Sequence, residues 1–438
     1  MQRKMTKMLA SNKDLIQKKY LDILSETKSI LFKNYDLKQG LYNETYFCQN
    51  YSIFSVCKLF IKTLFFKSSY FECSIEGNDL LTFYSKNYRA DHDSYWNLII
   101  STFQHKDSIT VEHKFKSILS RVDFLHLISK IYYFVLLFFC LNKIDNLKDR
   151  CYLSLTLVTR KCELNSIEKL KLAPKVVMCL FDSSPLENFA MQYFKMIGAV
   201  TITNQHGNPV YISDDTERVN QSQLFNFKSD YFFAKGPFQQ QNFKRFGVPI
   251  KKIVIVGDLS LKEPDFNDNN QKVFCVLLDT LGYSFASEYN YKLIEISQEI
   301  AKKIGYRYIV KLHPFDDISR YENYHFSECI KFYYGADTPL KQIFKQSDFA
   351  ICHASSSFVD SFKSGLRCFR FKTPINFPIS SSTDEFSSSS EFCIMFDNWM
   401  KLSSVERKKY ITSIVSNYSI PWKYDFVNSF ISNLILKE

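Results

Sequence analysis

Residues 175–205 read KVVMCLFDSSPLENFAMQYFKMIGAVTITNQ. The apolar run 175–182 is a short strand, 188–198 a helical segment, and 199–205 strand again. The succession continues through DYFFAKG (230–236), QQQNFKRFG (239–247) and KKIVIVGD (251–258). It resumes after an interruption with KVFCVLLD (272–279), a helix over 289–305, YRYIVKL (306–312), PLKQIFKQS (339–347), DFAICHA (348–354), SFVDSFKSG (357–365) and LRCFRF (366–371). Strands and helices in strict alternation specify an α/β chain with parallel sheets and right-handed crossovers.

The helix from Tyr289 carries Leu293, Ile296, Ile300 and Ile304 at three- and four-residue spacing and stops at Gly305, as a helix lying on a sheet does. The interruption, LKEPDFNDNNQK at 261–272, has the Pro, Asp and Asn content of a linker. A domain of residues 1–262 and another of 271–438 are therefore expected, two Rossmann-like units facing a cleft. Ligands of open α/β sheets sit beyond the carboxyl ends of the strands. A second break, SSSTDEFSSSSEF at 380–392, reads as a surface loop.

Composition narrows the partners. The 438 residues are 46% apolar and 23% charged, enough apolar material for two cores. Twelve cysteines without a Cys-x-x-Cys pair exclude zinc ribbons and a disulfide framework, and suit a reducing cytoplasm. The basic N-terminal stretch has no apolar core of a secretory signal, so a cytoplasmic location is expected. The net charge of +11 fits an anionic lipid or nucleotide phosphate. No nucleic-acid-binding signature accompanies the scattered Lys and Arg, and nucleic acid is not an expected partner. The most apolar window, IYYFVLLFFCL at 131–141, is too short to span a bilayer. It reads as a core helix or, given Lys116, Arg121, Lys130 and Lys143 around it, as a helix resting on the cytoplasmic face of an anionic inner membrane.

Three histidines end strand-like runs: His206 in TNQHGNPVY, His313 in KLHPFDD and His353 in ICHASSSFVD. Pro314 biases His313 toward an extended backbone, which aims the imidazole as a phosphate donor. Ser355, Ser356 and Ser357 stand where a strand passes into a helix, so hydroxyls and free N–H groups converge at the positive end of the helix dipole. A helix cap by one serine is the plainer reading. Neither a Walker loop nor a G-x-G-x-x-G follows any strand.

For a base that removes a hydroxyl proton, His206 beside the small Gly207 ranks first. Asp91 and His92 in YSKNYRADHDSYW, with Arg89 to orient an anionic acceptor, come second, and Asp182 third. No H-E-x-x-H or Asp-x-Asp is present, so neither a metal nor another cofactor is expected. There is no G-x-S-x-G elbow of a hydrolase.

With these motifs in this order, residues 175–372 resemble two-domain GT-B glycosyltransferases of bacterial surface polysaccharide synthesis. The His-Pro pair at His313 and Pro314 and the serines at 355–357 resemble the nucleotide-binding motifs of bacterial sialyltransferases and capsule enzymes. QHGNP (205–209), KLHP (311–314) and ASSSFVD (354–360) also resemble the corresponding places in CDP-glycerol glycerophosphotransferases. The acidic-pair-plus-glycine motif of sialyltransferases survives only as Asp279 and Gly282, and Gln205 replaces the tryptophan of the glycerophosphotransferases. The resemblance implies a metal-independent inverting transferase for capsule or lipopolysaccharide. It implies a cytidine-nucleotide donor, of sialic acid or a Kdo-like sugar, held by Lys311, His313, Pro314, Ser355, Ser356, Ser357 and Gly282, and a glycan or lipid-linked acceptor. A CDP-polyol phosphotransferase and a non-catalytic nucleotide-sugar-binding protein are the alternatives.

Overall fold

The computed structural model describes residues 15–436 apart from 66–68, 87–89, 113–123, 206–226, 246–247, 263, 265, 267–270, 280–285, 314–315, 317, 322–327, 334–337, 354, 356 and 374–383. Two sheets organise them. The first contains β1 (Tyr70–Ser74), β2 (Leu80–Ser85), β3 (Asp107–Glu112), β4 (Val176–Cys179), β5 (Val200–Asn204), β6 (Tyr231–Ala234) and β7 (Ile253–Ile255), in the order β1-β3-β2-β4-β5-β6-β7. Its strands run parallel except for β1, which pairs antiparallel with β3. The second contains β8 (Val273–Leu277), β9 (Arg307–Lys311), β10 (Cys329–Tyr333), β11 (Phe349–Cys352), β12 (Cys368–Phe371) and β13 (Glu385–Phe386). Its order is β10-β9-β8-β11-β12-β13, parallel throughout. The expected α/β class with two Rossmann-like units is the one found.

VVMC of β4 and VFCVL of β8 are buried at every position. Strands apolar on both faces belong in the middle of parallel sheets covered by helices on both sides. The helices that matter here are α1 (Ile53–Phe65), α2 (Ala90–Ser101), α3 (Phe124–Cys140), α4 (Leu147–Lys169), α5 (Pro185–Met196), α6 (Pro237–Arg245), α7 (Ala286–Ile304), α8 (Leu340–Phe344), α9 (Ser357–Lys363), α10 (Ser389–Lys401), α11 (Ser404–Tyr418) and α12 (Tyr424–Leu436). α5 starts with Pro185 at its first position, where the missing N–H costs nothing. α7 buries Leu293 and Ile300 in the second core and stops at Gly305, whose φ of +68° closes the helix without a Cβ penalty.

The last helix changes the division of the chain. Val427, Ile431 and Leu434 of α12, with Trp422 before it, pack with Tyr84, Met178 and Phe233 of the first sheet and with Trp96 of α2. The chain thus returns to the first sheet, whereas its linear order assigned everything from 271 to 438 to the second unit. The helical stripe was visible in the sequence, but periodicity does not say on which sheet a stripe lies.

The return path packs tightly. A Cβ at Gly236 would meet Tyr418 C and O at 2.4 Å, and one at Gly257, whose φ is +98°, would meet Pro421 O at 2.3 Å. At the same junction Asp258 is buried against Lys235 of the first unit, at 3.5 Å, and Lys363 of the second, at 2.7 Å. The carboxyl ends of β6 and β7 therefore abut the second unit.

The serine-rich stretch is not a plain surface loop over its described part. Asp384 is buried beneath Arg367 at 3.1 Å and Tyr410 at 2.5 Å, Phe386 enters the core, and Ser388 caps α10. Residues 380–383 lie outside the described residues. The apolar window belongs to α3, which buries Leu137 in the first core and leaves its opposite face exposed. Lys130 is not at the surface: it is buried, and its Nζ donates to Thr63 O at 2.8 Å. Lys143 pairs with Glu26 at 2.8 Å, and Lys116 and Arg121 lie outside the described residues. Among the described residues no helix is long and apolar enough to cross a membrane.

Candidate functional site

In each sheet the chain reverses its direction of strand addition beside its first parallel strand, β2 in one and β8 in the other. In the second sheet the chain adds β9 and β10 on one side of β8, then β11, β12 and β13 on the other. The crevice at such a switch point opens between the carboxyl ends of β8 and β11. It is bordered by Asp279 after β8 and by His353 and Ser355 after β11, while His313 follows β9 on the other flank of β8. Two strand spacings put the β9 and β11 ends about 10 Å apart, a span that suits a nucleotide diphosphate.

His313 is half-buried, and its carbonyl accepts from Asp316 N at 2.9 Å, which turns the chain sharply after the strand. Lys311, the last residue of β9, is buried. Ser355 Oγ accepts from Ser357 N at 3.3 Å, so one of the three serines is the helix cap that the plainer reading foresaw. Ser357 is half-buried as the first residue of α9. Pro314, Ser356 and Gly282 lie outside the described residues.

The third strand-end histidine plays another part. His353 is fully buried, with Nε2 at 2.7 Å from Asn290 Oδ1. Asn290 Oδ1 also accepts from Asp279 N at 3.1 Å, so the proton between histidine and asparagine sits on Nε2. Burial, reinforced by the Arg370 guanidinium, pushes the His353 pKa down to about 3 and keeps the ring neutral. Fully buried, this histidine fixes the crevice wall. Asn290 donates in addition to Asp279 O at 2.7 Å and to Tyr321 OH at 3.2 Å, and so clamps the β8 end to the β11 end. Sequence reasoning passed over Asn290. Its signal was a polar residue three positions before Leu293 on the buried stripe of α7, which requires partners.

In the first sheet β3 and β4 are added on opposite sides of β2, so the switch point lies between β2 and β4. Asp91 and His92 occupy the first turn of α2, the helix that follows β2, and His92 is buried. The Asp91 side chain and Arg89 are outside the described residues. His206, the first-ranked base, also lies outside them. The residue before it, Gln205, is buried and accepts from Lys235 N at 2.8 Å, which ties the ends of β5 and β6 together.

Asp182 lies just beyond β4, fully buried. Its Oδ2 accepts from Lys228 N at 2.8 Å, Ser229 N at 2.7 Å and Ser229 Oγ at 2.6 Å. Burial raises its pKa to about 6 against the pull of those donors. So placed, Asp182 ties β4 to the segment before β6 through Oδ2, while its buried Oδ1 has no hydrogen-bond partner among the described residues. Beside it stands a carboxyl the sequence reading did not weigh. Glu187 of α5 is buried and spans the crevice, accepting from Ser85 N at 3.2 Å and Ser184 Oγ at 2.9 Å. Its burial pushes the pKa up to about 8. The available signal was Ser-x-x-Glu at 184–187, the pattern of a helix-capping box.

No protein-family model and no curated protein matches the chain. Solved structures do share its fold. The UDP-GlcNAc 2-epimerase of Neisseria meningitidis, solved with UDP-GlcNAc bound, superposes with a TM-score of 0.50 and 13% identity over 82% of this chain and 100% of that one. TarM gives 0.44 at 13% identity over 64% of this chain and 58% of its own. The wall teichoic acid polymerase TagF gives 0.41 at 12% over 82% and 88%. The chain thus spans little more than half the length of TarM. At these identities the likeness is one of fold: this is a two-domain α/β protein of the GT-B type.

Proposed function

We propose that the chain is a glycosyltransferase that moves a sugar from a nucleotide donor onto a cell-surface glycan, inverting the anomeric centre without a metal. The observation that supports this most is the second-sheet crevice, with His313 on one flank of β8 and the Ser355 cap of α9 on the other. There the donor phosphates meet an imidazole, hydroxyls and the N–H groups of a helix start, and charge developing on the departing nucleotide is stabilised. Lys311, Pro314, Ser356, Ser357 and Gly282 complete the proposed donor site. The first unit presents the acceptor, its hydroxyl proton taken by His206 or by the Asp91 and His92 pair. Asp182 drops behind these as a base because of its buried, triply donated carboxylate.

The donor base is a separate matter. The resemblance of the motifs favours a CMP-linked sialic acid or Kdo-like sugar, while the fold neighbour from Neisseria carries UDP-GlcNAc. A panel of CMP-, CDP-, UDP- and GDP-linked donors, with varied acceptors and with EDTA, tests both. Transfer in EDTA from a nucleotide sugar supports the reading. Turnover of a CDP-polyol alone would replace it with phosphotransfer, isomerisation of the donor without transfer would replace it with epimerisation, and an absolute need for a divalent ion would overturn the metal-free mechanism.

A further inference from the structure

The first unit carries an apolar face that its own core does not use. α1 and α3 lie side by side on α4. Phe60 and Phe134 rings meet at 5.2 Å between them, and Lys130 Nζ joins α3 to Thr63 O near the end of α1. At the other end Lys148 donates to Tyr51 O at 3.0 Å, and the Arg150 guanidinium lies 4.4 Å over the Phe138 ring. The start of α1 is thereby next to the end of α3, so the helices are antiparallel and their outer faces adjoin.

Those outer faces are large and apolar. α3 exposes Ile128, Ile131, Tyr132, Val135 and Phe139, the spacing of one helical stripe. α1 exposes Ile53, Phe54, Ile61 and Phe65, with Phe54 at 78%. Scattered exposed apolar residues need no explanation, but nine on adjoining helices do.

Charge says what covers them. Neither α1, 13 residues, nor α3, 17 residues, contains an Asp or Glu. Lys58 is exposed on the outer face of α1. The acids at the rim are already neutralised, Glu26 by Lys143 at 2.8 Å and Asp145 by Lys19 at 2.7 Å. An apolar surface that carries Lys58 and, among the described residues of its two helices, no carboxylate matches the boundary between headgroups and acyl chains of an anionic bilayer. We propose that α1 and α3 form a docking face that lays the first unit flat on an anionic lipid surface. α3 is about 25 Å long and rests in the plane of the interface, its Phe and Ile side chains among the acyl chains and Lys58 at the headgroups.

The test is flotation of the full-length protein with vesicles of phosphatidylcholine alone and of phosphatidylcholine with phosphatidylglycerol. Binding is expected to the anionic vesicles and to fall with salt. Phe54→Ser with Phe139→Ser weakens it about tenfold or more through lost apolar burial. Lys58→Glu weakens it about tenfold, since it removes one attracted charge and adds a repelled one. Both variants keep the melting temperature, because the side chains face outward. Equal binding to neutral vesicles, or none to either, overturns the proposal. So does a concentration-dependent dimer that the double serine variant abolishes in a protein that ignores lipid, which would make the face a contact between copies.

Discussion

Lys363 Nζ donates to Asp258 Oδ2 at 2.7 Å, and the two residues belong to different units of the fold. Lys363 ends α9, the helix that starts at the serine cap of the second-sheet crevice; Asp258 follows β7 of the first sheet. Ser260 and Ser419 also donate to this carboxylate, the second of them from the returning chain. One buried anion thus joins the donor-side helix, the first sheet and the path of α12.

Asp258→Asn is expected to destabilise the protein by about 3 kcal/mol, because it strands two lysines that are mostly buried. Burial alone would raise the Asp258 pKa, but Lys235 and Lys363 outweigh it and hold the carboxyl well below the usual range. A depressed carboxylate contributes stability above its unfolded pKa and loses it as pH falls through the folded one. The difference between wild type and variant in urea denaturation should therefore be full at pH 7 and shrink in strong acid. An equal difference at all pH values would remove the ionic account.

Glu187→Gln should behave in the opposite sense. With its pKa raised to about 8 by burial, Glu187 folds more readily protonated, so wild-type stability declines as pH rises from the ordinary carboxylate range through 8. The glutamine variant has no proton to lose. Thermal melts of the two proteins should nearly coincide at pH 5 and separate by several degrees at pH 9 in favour of the variant.

Asn290→Ala should cost about 3 kcal/mol, since it removes the bonds to Asp279 N and Asp279 O and takes from the fully buried His353 the acceptor of its Nε2 proton. Wild type should lose stability from about pH 6.5 down to about 3, the window in which unfolded His353 gains a proton that the folded ring refuses. His353→Gln should flatten that part of the curve; an unchanged slope would show that the ring protonates while folded.

His313→Ala is expected to lower transfer about 10²- to 10³-fold, the range seen when a donor to developing negative charge is removed. The melting temperature should hold, because this side chain is half-buried and ends a strand. Ser355→Ala should cost about 1 kcal/mol of stability as a lost cap. Near-normal turnover in His313→Ala would reject its place on the phosphates.

What the sequence made legible follows burial. β4 to β9, β11 and β12 are short apolar runs flanked by helices, and all are recognisable as such. β1 and β10 are not: Tyr70, Glu72, Ile330 and Lys331 leave them exposed edge strands without the apolar run of a central one. The positions of His313 and Ser355 after strands were legible because Pro, Ser and strand ends mark turns. Asn290 and Glu187 were missed because a helix hides its buried polar residues among exposed ones, and only the packing shows which face they take. The same blindness set His353 beside His313: both end strands, yet one is sealed beneath Arg370 and Asn290.

The return of α12 to the first sheet bears on synthesis. Val427, Ile431 and Leu434 fill the core that also holds Tyr84 and Met178, so this core stays open until residue 434 has left the ribosome. Domains otherwise tend to fold in the order they emerge. Here the core on the other face of the first sheet, drawn from residues 16–199, and the second unit, whose strands lie between 273 and 386, both have their residues before α12 emerges, and the face that α12 covers is the last to close.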